Sequence, residues 1–170
     1  MTEVTWDGEN IEGVLEGRTL VTVDSDKPDN RFNDGKADPK GRLWAGTMGP
    51  EPEVGVVTPK QGSLFTFKTS VNGIVSAVTH LREIDISNGL AWSSDNSTMY
   101  YIDTGKRAVF GFNFNIEEGE ISRRRVILDF ESNNITGSPD GMTIDRDGNL
   151  WVACFGGSQF CSELLNDEAE

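Results

Sequence analysis

Histidine is nearly absent from this 170-residue chain, with His80 as the single representative. That scarcity excludes histidine-rich zinc sites, and any Ser-His-Asp triad would have to be built on this one residue. Its setting, Val78-Thr79-His80-Leu81, reads as the end of a strand rather than a catalytic position. Cysteine is almost as rare. Cys154 and Cys161 are too few for the disulfide framework of a small secreted domain, so reduced thiols are expected. Basic residues are in deficit, with 15 Lys plus Arg against 28 Asp plus Glu and a formal net charge of −13. A phosphate-binding surface needs clustered cations, so neither nucleic acid nor an anionic membrane is an expected partner. Long apolar runs are missing too, and Met1-Thr2-Glu3-Val4-Thr5-Trp6-Asp7 has neither a basic start nor an apolar stretch. A soluble, cytoplasmic protein is the expectation. Without a leader, Asn96-Ser97-Thr98 and Asn134-Ile135-Thr136 read as chance matches to the glycosylation pattern. Arg123-Arg124-Arg125 reads as a solvated strand edge.

What the chain does contain is strict alternation. Phe110, Phe112 and Phe114 should share one strand face, as should Phe65 with Phe67, and Val126 with Leu128 and Phe130, whereas no long stretch repeats every 3.6 residues. Short strands divided by Gly, Asn, Asp, Ser and Pro clusters predict an all-β chain.

Internal similarity is the stronger signal. Asn33-Asp34-Gly35 leads to Leu43-Trp44-Ala45, Asn88-Gly89 to Met99-Tyr100-Tyr101, and Asp140-Gly141 to Leu150-Trp151-Val152. Each pair flanks a turn: Asp38-Pro39-Lys40-Gly41, Ser94-Asp95-Asn96-Ser97 and Asp145-Arg146-Asp147-Gly148-Asn149, whose residues suit tight hairpins. The middle unit supplies four strands, near Gly89 to Trp92, Met99 to Asp103, Ala108 to Phe114 and Arg124 to Phe130. Four strands in about fifty residues, repeated, is the pattern of a β-propeller blade. An immunoglobulin-like sandwich does not account for the recurring unit.

In a propeller, equivalent positions of successive blades recur around one axis. Asn33, Asn88 and Asp140 then sit at the start of each innermost strand, offering oxygen ligands that suit a hard cation. Asn and Asp before Gly are equally well explained as turn formers. A second calcium pattern fails: Asp145 to Asn149 starts like an EF-hand, but the sixth position is Leu150 and the twelfth Gly156, where Gly and a bidentate Glu are required.

Three stretches carry a resemblance. Arg31-Phe32-Asn33-Asp34-Gly35-Lys36 with Gly46-Thr47-Met48, Asp85-Ile86-Ser87-Asn88-Gly89-Leu90-Ala91-Trp92, and Pro139-Asp140-Gly141-Met142 with Leu150-Trp151-Val152-Ala153-Cys154 resemble the SMP-30/gluconolactonase/luciferin-regenerating-enzyme family, in order, from about Leu20 to Gly157. The resemblance implies a partial β-propeller, about three blades of a six-bladed ring, spanning 1–157 and followed by a divergent acidic tail at 158–170. It implies one divalent metal ion (Ca²⁺, Zn²⁺, Mn²⁺ or Mg²⁺) and hydrolysis of a sugar lactone. Asn88 and Asp140 match metal ligands, Asp140 also matches the catalytic base, and Arg31, Asn33 and Glu51 match substrate-binding positions. Counting forward from Gly46-Thr47-Met48 selects Glu51 over Glu53. The family's third metal ligand, a first-blade glutamate, has no counterpart, which lowers the expected affinity. A six-bladed ring at this repeat length needs roughly 300 residues, so the resemblance implies truncation at both ends. Exposed blade edges then predict self-association and marginal stability as a monomer. The functional expectation is a metal-dependent lactone hydrolase. A calcium-binding regulator without turnover and a non-catalytic propeller fragment are the alternatives.

Overall fold

The computed structural model describes residues 1–9 and 14–163. A small two-stranded sheet, β1 (Thr2–Val4) and β2 (Gly17–Thr19), precedes three antiparallel sheets. The first has β3 (Arg31–Ala37), β4 (Leu43–Met48), β5 (Gly62–Thr69) and β6 (Val75–Ile84) in chain order. The second has β7 (Ser87–Trp92), β8 (Thr98–Asp103), β9 (Ala108–Asn115) and β10 (Glu120–Asp129), and the third has β11 (Ser138–Ile144), β12 (Leu150–Phe155) and β13 (Gln159–Glu163). Each sheet is an up-and-down meander, so its first strand lies at one edge. The first strands pack side by side, with β7 against both β3 and β11. That is the radial arrangement of propeller blades about an axis. Thr104–Lys106 form a short 3-10 turn after β8. No helix among the described residues is long and apolar enough to cross a membrane.

Two apolar clusters hold the blades together. Trp44, Leu64, Trp92, Tyr101 and Phe112 fill the space between the first and second sheets, and Tyr100, Val109, Leu128, Leu150 and Val152 the space between the second and third. His80 packs against the first of these. Its ring stacks on Trp44 at 4.4 Å and its Nε2 lies 2.9 Å from Thr66 Oγ1. Burial holds its pKa below the ordinary value, against the opposing pull of Glu120, so it is a core residue.

The alternation expected of Phe110, Phe112 and Phe114 holds, since all three are buried in one cluster. That of Val126 and Leu128 does not. The register shifts between them, pairing Val126 with Phe110 and Leu128 with Val109. The bulge turns Val126 out to 58% exposure while Leu128 stays buried. An earlier irregularity, with Arg123 at φ 52°, lets β10 begin at Glu120 rather than near Arg124. Arg124 covers the Phe110 ring at 3.7 Å, and the arginine run does lie on an outer edge strand. The segment after Gly157, expected to be a tail, is corrected in its first part. Gln159–Glu163 pair with β12 in regular register, because Phe160 and Cys161 supply the strand residues that its acidic composition obscures. Residues 164–170 lie outside the described residues.

Candidate functional site

The three inner strands share one irregularity. Register shifts fall between Phe32 and Gly35 in β3, between Asn88 and Leu90 in β7, and between Pro139 and Met142 in β11. The recurring Asn/Asp-Gly segments are therefore β-bulges rather than turns, and bulges re-aim side chains. Asn33, Asn88 and Asp140 each stand five residues before the residue that opens the blade's first hairpin, namely Asp38, Ser93 and Asp145, whose amides bond Arg42, Thr98 and Asn149. By that count Asp34, not Gly35, takes the place held by Gly89 and Gly141. The strands approach closely here. A Cβ on Gly89 would sit 2.5 Å from Met142 Cβ and 2.9 Å from the Asp140 carbonyl, and one on Gly46 would sit 1.8 Å from Ser87 Oγ.

A directed hydrogen-bond chain crosses all three blades. Arg31 Nη1 donates to Asn33 Oδ1 at 3.2 Å, and Asn33 Nδ2 donates to Asn88 Oδ1 at 3.1 Å and to the Ser87 carbonyl at 2.9 Å. Asn88 Nδ2 donates to Thr104 Oγ1 at 2.7 Å, and Thr104 donates to the Pro139 carbonyl at 2.7 Å. A carbonyl can only accept, so the Thr104 proton is committed to Pro139 and its oxygen must accept from Asn88. This fixes the amide flip: the nitrogen of Asn88 faces the 3-10 turn and its oxygen faces β3. The chain ends one residue before Asp140.

Asp140 is partly buried, and burial, followed by the negative charge of Asp34, pushes its pKa above the ordinary carboxylate value. Lys36 Nζ ties the blades from below, donating to the carbonyls of Leu90 at 3.0 Å and Met142 at 3.2 Å. Arg31 and Glu51 are 4.0 Å apart with both side chains exposed, and an exposed pair at that range adds little stability. Glu51 Oε1 instead accepts the Gly55 amide at 2.5 Å, while Glu53 pairs by backbone with Val56. Arg31, Asn33 and Asn88 thus lie in one network, Glu51 stands at its rim beside Arg31, and Asp140 stands at its β11 end. Asp34 and Thr104 escaped the sequence reading. The Asn33-Asp34 doublet, where the other repeats have a single acid or amide, was the available signal for Asp34. Thr104 carried none, because its role depends on a turn that brings β8 to β11.

Among the described residues no group of three or more His, Cys, Asp or Glu side chains could hold a metal ion. What this site offers is the Asp140 carboxylate, the Asn88 amide oxygen and the nearby charge of Asp34. That all-oxygen set fits a hard divalent cation in kind, with few protein ligands and the remainder left to water.

Residues 10–162 match the model of the SMP-30/Gluconolactonase/LRE-like region. The chain belongs to this family. Regucalcin of Xenopus laevis is 48% identical over 141 residues, covering 83% of this chain and 45% of that protein. A luciferin-regenerating enzyme superposes with a TM-score of 0.82 at 39% identity, covering 95% of this chain and 50% of its own. A regucalcin of Agrobacterium tumefaciens, described as a calcium-binding protein, superposes with a TM-score of 0.71 at 30% identity, over 88% of this chain and 46% of its own. This SMP-30/gluconolactonase-family chain spans about half the length of the relatives it matches.

Proposed function

We propose that the site supports divalent-metal-dependent hydrolysis of a sugar lactone, the gluconolactonase-type reaction. The observation that carries this reading is the relay from Arg31 to Pro139, which fixes the Asn88 amide between β3 and Thr104 and ends one residue before the pKa-raised carboxylate of Asp140, near the start of β11. Asn88 and Asp140 would hold the ion. When bound, such an ion supplies Lewis acidity to a lactone carbonyl. Asp140, whose burial strengthens it as a base, accepts the proton of the attacking water. Arg31 and Asn33 hold sugar hydroxyls or the developing carboxylate, and Glu51 orients the Arg31 guanidinium from the rim. A cytoplasmic setting and a small neutral substrate agree with the acidic surface.

The test compares the wild-type chain with Asp140→Ala on gluconolactone in the presence of Mn²⁺, Zn²⁺ or Ca²⁺, after subtracting spontaneous hydrolysis. A general base contributes typically 10²- to 10⁴-fold, so the variant should fall by about 100-fold or more, and equal rates for both proteins overturn the reading. A second reading, calcium binding without turnover, draws support from the Agrobacterium neighbour described as calcium-binding. It predicts Ca²⁺ heat in calorimetric titration with no lactone consumed, and the absence of heat at millimolar Ca²⁺ removes it.

A further inference from the structure

The two cysteines of the chain meet. Cys154 lies on β12 opposite Gln159, and Cys161 lies on β13 opposite Val152. Residues directly opposite in an antiparallel pair share a face, so Cys154 and Cys161 are diagonal neighbours on one face, a spacing their side chains can span. Both are free thiols, and their Sγ atoms are 2.9 Å apart. Cys154 is buried at the interface with the second sheet, while Cys161 is half-exposed at its margin. The hairpin between them is short and closed by the Gly157 amide on the Cys154 carbonyl at 2.9 Å.

We infer that Cys154 and Cys161 form a reversible dithiol–disulfide pair that staples the edge strand β13 to β12. A disulfide needs the sulfurs at ~2.05 Å, so they must close by about 0.9 Å from 2.9 Å, within the reach of side-chain rotation. The oxidant class is a small-molecule disulfide such as glutathione disulfide. Cys161, the less buried of the two, attacks one sulfur of that disulfide as its thiolate, a minor fraction because burial and then the Cys154 thiol push its pKa up to about 11. The attack forms a mixed disulfide and expels one glutathione thiolate, which takes up a proton. The buried Cys154, losing its own proton, then attacks the Cys161 sulfur and expels the second glutathione. Two S–H bonds are lost, one S–S bond forms within the chain, and the two electrons reduce the oxidant to two thiols. β13 is the last strand of its sheet, and beyond its ladder to β12 it is held by Gln159 Nε2 on the Thr136 carbonyl at 3.3 Å and by Cys161 against the second cluster, so without the staple it is the strand of this sheet most prone to fray. This inference does not depend on the lactonase reading.

The experiment incubates the whole chain with glutathione disulfide, alkylates it under denaturing conditions, and weighs it. The expected product is a monomer lighter by two hydrogen atoms, carrying no alkyl group and returning to two alkylated thiols after dithiothreitol. In Cys154→Ser, Cys161 should stop as the mixed disulfide with glutathione; in Cys161→Ser, the buried Cys154 should stay unmodified. Two alkylated thiols, glutathione on both, or covalent dimers in the wild-type chain each overturn the pairing, and the wild-type result decides even if a variant does not fold. Amide exchange across Gln159–Glu163 should slow at least severalfold on oxidation, and unchanged exchange overturns the stapling.

Discussion

At Asp140 the demands of a site and those of stability pull in opposite directions. Burial, and then the charge of Asp34, raises its pKa, so the folded chain binds this proton more tightly than the unfolded chain does. The stabilising contribution is therefore complete below the unfolded value, 3.8, and is lost as the pH rises through the raised folded value. Above it, the ionised carboxylate destabilises the fold. Asp140→Asn should accordingly melt higher than wild type at pH 7, and the difference should shrink as the pH is lowered towards 3.8; thermal melts at the two pH values, without added metal, check the sign. A lower melting temperature for the variant at pH 7 would show that the carboxylate is stabilised by a partner instead. That Asp140, Asn33 and Asn88 hold equivalent places on successive inner strands was legible in the sequence because the Asn/Asp-Gly unit recurs, whereas the bulges there were not. Which atom of Asn88 faces β3 was not legible, since that depends on Thr104 reaching the Pro139 carbonyl, 35 residues away.

The hairpins between the first and second strands of the blades show what a local element owes to its neighbours. In the first sheet, Asp38 accepts the amides of Lys40 and Arg42 and also the Trp44 indole at 3.1 Å. In the third sheet, Asp145 accepts the amides of Asp147 and Asn149 and the Trp151 indole at 2.8 Å. The turn chemistry was readable from composition, but the Asp-to-Trp bond six residues on was not, because it needs the strand pairing that returns the indole over the turn. The two copies differ in burial. Asp38 is buried and also pairs with Arg42 Nε at 2.7 Å, so Asp38→Ala removes the arginine's carboxylate while leaving its bonds to the Ile116 and Glu117 carbonyls, and should cost about 3 kcal/mol in urea unfolding. Asp145→Ala, in a hairpin on the uncovered blade, should lower the urea midpoint by clearly less. The Asp145 side chain is held at a pKa of about 2, chiefly by Trp151 and then by Asn149. Its contribution is present above the unfolded value of 3.8 and is lost as the pH falls to about 2. Wild type and Asp145→Ala should therefore converge in stability over that window, and parallel curves down to pH 2 would contradict the assignment. Strand alternation was a sound guide wherever the ladder is regular, as at Phe110 to Phe114. It misread Val126, where a bulge inserts one residue and exchanges the faces.

Across the whole molecule, the same face of each blade meets a different fate. Trp44, Tyr100 and Trp151 hold equivalent places on β4, β8 and β12. The following sheet covers the first two, so Trp44 is fully buried and Tyr100 is 7% exposed, while Trp151 is 45% exposed. Phe155 and Phe160 lie on that same face at 72% and 75% exposure. The repeat count had already indicated about half a ring, because repeat length is a property of sequence. The composition of the uncovered face emerged only once β13 was seen to be a strand. Large apolar side chains exposed together on one sheet face predict an interaction surface. The 170-residue chain should therefore show concentration-dependent self-association in sedimentation velocity. Phe155→Ser combined with Phe160→Ser removes two exposed rings without touching the Asp145–Trp151 bond, the thiol pair or the candidate site. The double variant should weaken association at least about tenfold, or ~1.4 kcal/mol, with its melting temperature little changed, since exposed rings add little to the fold of the monomer. Association of equal strength in both proteins would place the contact elsewhere, with the outer edge at β10 the next surface to test.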